Sequence, residues 1–256
     1  MEKPVLGAQL YTVRDSTQTA DDLRETLRKV REIGYTAVQL SAVGPIAPDE
    51  IAGLVREAGV TVAATHAAWP RFLEDLDGVI REHQMWDCRH TAIGGLPNDY
   101  YSEAGVPRFL EELVPVAERL AAAGLDFSYH NHDREFARCG KRTWLAQVFD
   151  GADPRHLKAE LDTYWIQAGG GDPADWIRRC AGRVPILHVK DMCITPEREV
   201  RYAEIGEGNL NWPAILRAAE EGGVEYLVVE QDECYGRDPF ESLAISYGNL
   251  RRMGYA

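Results

Sequence analysis

Two kinds of hydrophobic pattern alternate along the whole chain. Short runs that are continuously apolar, or apolar at every second position, predict strands, whereas apolar residues three or four positions apart predict helices. The predicted strands span residues 6–13, 37–40, 60–65, 90–94, 125–136, 157–162, 185–190 and 226–230. The predicted helices span residues 20–33, 48–58, 71–84, 107–123, 142–149, 173–180, 212–221 and 239–253.

The joints between these elements repeat as well. REIGYTAVQL, REAGVTVAAT, AAAGLDFSYH and EEGGVEYLVV each run from a helix through a glycine into a strand. A glycine at that point ends a helix in a left-handed conformation, so the repeat is a strand–helix unit recurring about every 25–35 residues. Eight such units predict an α/β fold, a single (β/α)8 TIM barrel over residues 1–256. The rival doubly wound sheet usually carries a glycine fingerprint after its first strand, and YTVRDSTQTADD has none.

Charge and cysteine content narrow the functional classes. The formal net charge is −13, which repels phosphate backbones and anionic membranes and argues against nucleic-acid and membrane partners. The five cysteines are scattered and never form a CxxC pair, as expected for reduced thiols in the cytoplasm. The first residues lack the long apolar core of a signal peptide or membrane span. A cytoplasmic enzyme with a small-molecule partner is expected, and a homo-oligomer stays open.

Histidine and acidic residues collect at the predicted strand ends, where a TIM barrel has its active site. These are His66, His130, His132, Asp162, His188, Lys190 and Glu230. His130, Asp162, His188 and Glu230 follow four consecutive strands, so we expect them to bind one divalent metal ion rather than to be unrelated polar caps. Their mixed nitrogen and oxygen donors suit Mn²⁺, Co²⁺, Zn²⁺ or Mg²⁺.

Other strand-end residues have two interpretations each. His66 either contacts substrate or is satisfied by loop carbonyls, and the aromatic rings of Tyr11 and Trp165 either bind a sugar face or cover the barrel. Two more histidines, His83 and His156, are predicted to lie on the surface. The turn at 206–208 and the glycine run at 169–171 are interpreted as ordinary loops rather than phosphate-binding loops.

Five motifs carry a resemblance to a known family. YHNHDREF, ELDTYW with the following AGGGDP, LHVKD, IGEGNLNW and VVEQD resemble the sugar isomerase/epimerase-like members of the xylose isomerase-like TIM barrels, in the same order. In relatives such as ketose 3-epimerases, Glu, Asp, His and Glu from strands five to eight hold one metal, and the glutamates move protons beside the substrate carbonyl. The resemblance assigns Asp162, His188 and Glu230 to the last three positions.

The first position departs from that pattern, because His130 stands where many relatives have glutamate. A similar histidine-rich run occurs in inosose dehydratase-like members, which eliminate water next to a ketone. Glu230 would then act as base together with another acid, for which Lys190, His132 and Glu160 are candidates. The prediction is a metal-dependent isomerase/epimerase of a sugar, keto-sugar or cyclitol that removes an α-proton and forms an enediolate. The alternative is a carbon–oxygen lyase, inosose dehydratase-like or eliminating from 3-keto-glycosides.

Two further functions are disfavoured. An endonuclease IV-like hydrolase shares such a barrel but uses more histidines, and Trp165 stands where a second histidine would follow Asp162. A barrel that only binds a sugar would leave the four ligand-type residues without a purpose. Both alternatives rank below the isomerase/epimerase and lyase functions.

Overall fold

Eight parallel strands close into a barrel in the computed structural model, which describes residues 3–255. The strands are β1 (Val5–Gln9), β2 (Ala37–Leu40), β3 (Thr61–His66), β4 (His90–Ile93), β5 (Asp126–His130), β6 (Lys158–Asp162), β7 (Ile186–Val189) and β8 (Tyr226–Val229). Each strand pairs with its neighbours in sequence, and β8 closes the barrel on β1 with Tyr226 opposite Val5. The predicted (β/α)8 fold is confirmed.

Ten α-helices accompany these strands within residues 3–255. They are α1 (Ala20–Ile33), α2 (Pro48–Ala58), α3 (Trp69–Glu74), α4 (Leu76–Trp86), α5 (Gly105–Ala122), α6 (Trp144–Gly151), α7 (Thr163–Ala168), α8 (Pro173–Arg179), α9 (Trp212–Gly222) and α10 (Pro239–Arg252). The single helix predicted at 71–84 is wrong: Asp75 breaks it and its carboxylate caps α4 at Gly78. None of the described helices is long and apolar enough to cross a membrane.

Two predicted strands end earlier than expected. β1 ends at Gln9, whose side-chain oxygen accepts from the Tyr11 amide, and the 3-10 helix Leu10–Ser16 follows. β5 ends at His130, so His132 lies in a loop. The buried Glu135 carboxylate holds that loop by accepting from the His132 amide at 2.8 Å. The predicted alternation of His130 and His132 along one strand is therefore wrong.

Antiparallel hairpins outside the barrel were not predicted. One pairs Arg138–Cys139 with Arg142–Thr143. The other pairs Asp191–Ile194 with Val200–Ala203 and lies between β7 and α9. Such two- to four-residue strands are too short for a hydrophobic period to show in sequence.

The main apolar core lies between the barrel and its helices. A small separate cluster of Ala64, Ile186 and Val228 packs inside the barrel. Towards the C-terminal end of the strands, polar side chains replace apolar ones, and this places the candidate site. His83 is not on the surface as predicted: it is buried, with one ring nitrogen 2.8 Å from the Thr65 hydroxyl.

Candidate active site

Four ligand-type residues converge at the carboxyl ends of β5 to β8. His130, Asp162, His188 and Glu230 are all buried, and one ligand atom from each lies within 4.8 Å of the others. Alternation along a strand points every second residue into the barrel, and Asp162 is the register partner of His188. The structure thus brings together the four residues that the sequence predicted as metal ligands.

Among the described residues, the buried His130 Nδ1 has no hydrogen-bond partner, and the buried Asp162 Oδ2 lies 3.1 Å from the Lys190 ammonium. The other oxygen of Asp162 accepts from the Trp165 amide at 3.0 Å. Because an unpaired buried polar atom is costly, the lone pair of His130 Nδ1 is placed for a cation to satisfy, and the Asp162 carboxylate is a second ligand-type group of the same cluster. Burial also raises the pKa of Asp162 to about 6. Two carboxylates and two imidazoles without thiolates fit a divalent metal ion.

His188 lies between the cluster and the barrel interior. Its Nδ1 is 2.8 Å from Glu230 Oε2, and its Nε2 is 2.7 Å from the side-chain oxygen of Gln39 and 3.1 Å from Glu160 Oε1. Burial lowers the pKa of His188, but the Glu160 and Glu230 carboxylates outweigh it and raise that pKa to about 10. The ring is therefore held at both nitrogens.

Lys190 is the charged partner of the carboxylates around the cluster. Its ammonium nitrogen, with the side chain only 1% exposed, is 2.9 Å from Glu230, 3.0 Å from Asp232 and 3.1 Å from Asp162. Burial lowers the pKa of Lys190, yet these carboxylates hold it well above its usual range. Conversely, burial raises the pKa of Glu230, but Lys190 and His188 keep it well below its usual range. Glu230 is therefore ionised beside a protonated lysine.

Glu160 forms a second polar layer beneath the cluster. Its two oxygens each accept from the Gln39 amide at 3.1 Å, and the carboxylate contacts His66 and His188. Burial raises the pKa of Glu160, but these histidines hold it well below its usual range. Because Glu160 is fully buried beneath the cluster, it is placed to position the histidines. Its role as a catalytic acid stays a prediction. The sequence analysis missed Gln39, for which an inward position on β2 was the only signal.

A cavity of about 360 Å³, here called the central cavity, opens above the cluster. Its walls are Tyr11, Ser41, His66, Gly94, His130, His132, Trp165, Lys190, Glu230 and Asp232. The structure therefore places all three predicted substrate-contact residues around one space with His132, Lys190 and Glu230. It adds Asp232, which the sequence analysis missed although it shares parity with Glu230.

A family model describes most of this chain. The model of the xylose isomerase-like TIM barrel matches residues 27–244. The chain belongs to that family. This confirms the resemblance inferred from the five motifs, while no curated protein matches the sequence significantly.

Solved structures of xylose isomerase-like and related barrels superpose closely on this one. A sugar phosphate isomerase/epimerase from Parabacteroides distasonis has a TM-score of 0.84 at 23% identity, over 99% of this chain and 96% of that one. L-ribulose 3-epimerase has a TM-score of 0.75 at 19% identity, over 98% and 94%. A probable 3-DHS dehydratase from Bacillus anthracis has a TM-score of 0.73 at 12% identity, over 96% and 98%. At these identities the likeness establishes the shared fold.

In this member of the xylose isomerase-like family, histidines form the β3 and β5 side of the central cavity. His130 replaces the expected carboxylate, and its ring centroid is 5.0 Å from those of both His66 and His132. Burial, followed by the nearby Lys190 charge, lowers the pKa of His132 to about 4. His132 is therefore neutral around neutral pH, which suits a hydrogen-bond donor better than a proton store.

Proposed function

We propose that this protein is a divalent-metal-dependent sugar isomerase/epimerase that removes the proton from the carbon next to a carbonyl. The observation that carries the proposal is Glu230, an ionised carboxylate that belongs to the four-residue cluster and also lines the central cavity. The structural likeness to a sugar phosphate isomerase/epimerase and to L-ribulose 3-epimerase supports it.

His130, Asp162, His188 and Glu230 would hold the metal ion. Their mixed nitrogen and oxygen donor atoms suit Mn²⁺, Co²⁺, Zn²⁺ or Mg²⁺. A divalent ion held there would polarise the substrate carbonyl and stabilise the negative charge that develops on its oxygen.

The residues of the chain supply the proton transfers. Glu230 accepts the α-proton, the C–H electron pair becomes a carbon–carbon double bond, and the carbonyl electron pair moves onto oxygen, giving an enediolate. The Lys190 ammonium, 2.9 Å from Glu230, keeps this carboxylate ionised before the transfer. Return of the proton to the neighbouring carbon, with transfer of the hydroxyl proton to the former carbonyl oxygen, gives the isomer. Return to the same carbon from the opposite face gives the epimer.

A carbon–oxygen lyase is the second candidate, favoured by one feature of the cavity. Among the described residues that line the central cavity, the two carboxylates, Glu230 and Asp232, both follow β8. The side formed by β3 and β5 carries histidines instead. Return of a proton to the opposite face therefore lacks a facing carboxylate. Elimination needs only one base: the enediolate electrons expel the β-oxygen, the C–O bond breaks, and Lys190 donates a proton to the departing oxygen. The likeness to a probable 3-DHS dehydratase also supports this candidate.

Solvent-exchange NMR tests both candidates. The protein is stripped with a chelator, reloaded with Mg²⁺ and incubated in D₂O with ketoses, inososes and 3-keto-glycosides. Deuterium at the α-carbon with isomer or epimer formation supports the first function, and enone absorbance supports the second. The stripped protein is the control. Metal-loaded protein that exchanges no α-proton in any of these compounds would contradict both.

A further inference from the structure

The central cavity offers a phosphate group no unpaired cation. Lys190 is the single lysine or arginine in the cavity walls that the structure describes, and three carboxylates already surround its ammonium group. Arg14, beside the cavity, donates to the backbone oxygens of Tyr11 and Asp232 and covers the Tyr11 ring. Tight recognition of a phosphate requires cationic groups or free amides directed at its oxygens.

The two glycine motifs, residues 169–171 and 206–208, have their space or their amides occupied by other side chains of the same chain. The buried Asp191 carboxylate accepts from the amides of Gly206 and Gly208 at 2.8 and 3.1 Å and from Trp212 Nε1 at 2.6 Å. A phosphate at this turn would have to displace that carboxylate and overcome its charge. The 169–171 run packs under Phe136, so close that a Cβ at Gly169 would meet its ring at 2.5 Å. The three amides of the 169–171 run donate to backbone oxygens of the preceding helical turn, so neither motif offers these amides to a phosphate.

A second cavity of about 640 Å³, here called the side cavity, adjoins the central cavity. The two share His66, Gly94 and His132 in their walls. Small-molecule sites span ~300–1,000 Å³, so the central cavity alone lies at the low end of that range and the joined space near its upper end. The site thus extends beyond the volume around the cluster.

The far wall of the side cavity suits an uncharged ring. Leu96 and the Tyr101 side chain supply apolar surface, and the Arg134 guanidinium stacks 3.7 Å from the Tyr101 ring centroid. Arg134 also donates to the Asn98 side chain at 3.0 Å, and Asp133 adds one carboxylate to the same wall. Sugar rings combine apolar faces with hydroxyls that such groups can bind.

We propose that the substrate is an unphosphorylated sugar joined to a second uncharged ring, a glycoside or disaccharide. The reacting keto-sugar lies in the central cavity beside Glu230, and the second ring lies in the side cavity beside the stacked Tyr101 and Arg134 side chains. This inference rests on the proposed function for the position of the reacting carbonyl. The proposed substrate differs from a sugar phosphate in the charge of its substituent, which is the property that the cationic groups of the cavity walls would recognise.

Ketoses that share a fructose unit isolate the effect of the substituent. Fructose, fructose 6-phosphate and the disaccharides isomaltulose, maltulose and turanose are titrated into Mg²⁺-loaded protein and their dissociation constants measured by calorimetry. The disaccharides attach glucose through different oxygens and so test several directions out of the central cavity. At least one disaccharide is expected to bind about tenfold more tightly than fructose, a difference of about 1.4 kcal/mol, and fructose 6-phosphate more weakly than fructose.

A pair of matched substitutions locates the second ring. Ala68 lines the side cavity and Ala47 does not, yet both are exposed residues preceding a helix with nearly the same backbone angles, φ −71°, ψ 142° and φ −60°, ψ 138°. Ala68→Trp is expected to remove the about tenfold advantage of the disaccharide over fructose. Ala47→Trp is expected to leave it unchanged.

The outcomes separate this inference from the proposed function. Tighter binding of fructose 6-phosphate than of fructose, or no disaccharide binding more tightly than fructose, overturns the inference. A disaccharide advantage that survives Ala68→Trp also overturns it. The same samples in D₂O report α-proton exchange: preferential disaccharide binding without exchange in any sugar contradicts the proposed reaction but leaves the substrate class supported.

Discussion

The side-chain oxygen of Gln39 accepts a hydrogen bond from Nε2 of His188 at 2.7 Å. Nε2 therefore carries a proton, and the ring presents Nδ1 to Glu230 and the cluster. The Gln39 amide in turn donates to both oxygens of Glu160, so the glutamine is fixed at both ends of its side chain. A partner of this kind orients a metal-ligating histidine and raises its basicity.

Substitution of Gln39 is therefore expected to weaken metal binding without removing a ligand. Gln39→Leu should raise the dissociation constant for Mn²⁺ by about 10–100-fold, since His188 loses its orienting acceptor. Electron paramagnetic resonance of free Mn²⁺ measures this directly. Gln9→Leu is the matched control. Gln9 is also a buried glutamine and is the register partner of Gln39, but its own side-chain oxygen accepts from the Tyr11 amide and not from His188. Equal affinities in both variants and the wild type would refute the orienting role.

Glu230→Gln is expected to abolish proton exchange far more completely than metal binding. The amide retains an oxygen near His188 but cannot accept a proton, and loss of a general base costs ~10²–10⁴-fold in rate. Exchange of a substrate α-proton in D₂O and Mn²⁺ binding are measured on the same preparation. Asp232→Asn is the control, as it changes the other carboxylate of the cavity wall that contacts Lys190. If Glu230→Gln exchanges normally, the base is another residue.

Lys190→Met is expected to destabilise the metal-free protein strongly. The change leaves Asp162, Glu230 and Asp232 without their shared cation, and breaking a buried ion pair from one side costs ~3–5 kcal/mol. A divalent ion would neutralise part of the same charge, so Mg²⁺ should raise the melting temperature of the variant more than that of the wild type. The exposed Lys141 provides the control Lys141→Met, which should change neither quantity. A Mg²⁺ effect no larger in Lys190→Met than in the wild type would contradict the charge argument.

His90, at the N-terminal end of β4, is expected to make stability depend on pH. Its ring lies 3.4 Å from Asp126 and 3.5 Å from Glu225; burial lowers its pKa, but these carboxylates outweigh burial and raise it. A raised folded-state pKa contributes stability that is fully present below the unfolded value of about 6.5 and is lost as pH rises through the folded value.

The free energy of urea unfolding should therefore show a larger difference between wild type and His90→Gln at about pH 6 than at about pH 9. Asp126→Asn removes one carboxylate partner of the same ring. The free energy of unfolding of this variant should therefore depend less on pH than that of the wild type. A difference that is constant across this range, or that grows with pH, would show that the His90 charge does not contribute.

The sequence by itself determined the barrel and the four residues of the cluster. Helix-ending glycines and the change of hydrophobic period mark each strand–helix unit, and both depend on local backbone preferences. Once the strands are parallel in one barrel, their carboxyl ends meet at the same end. His130, Asp162, His188 and Glu230 therefore had to come together, whatever the paths of the loops.

Only the tertiary structure decided what surrounds that cluster. Gln39 and Glu160 bond to each other across 121 positions of sequence, and no local period distinguishes such a pair from other inward residues. The hairpin after β7 is fixed by bonds to Asp191 from the amides of Gly206 and Gly208, which follow 15 and 17 positions later in the chain. Contacts between segments far apart in sequence depend on how the closed barrel places them, which hydrophobic periodicity does not encode.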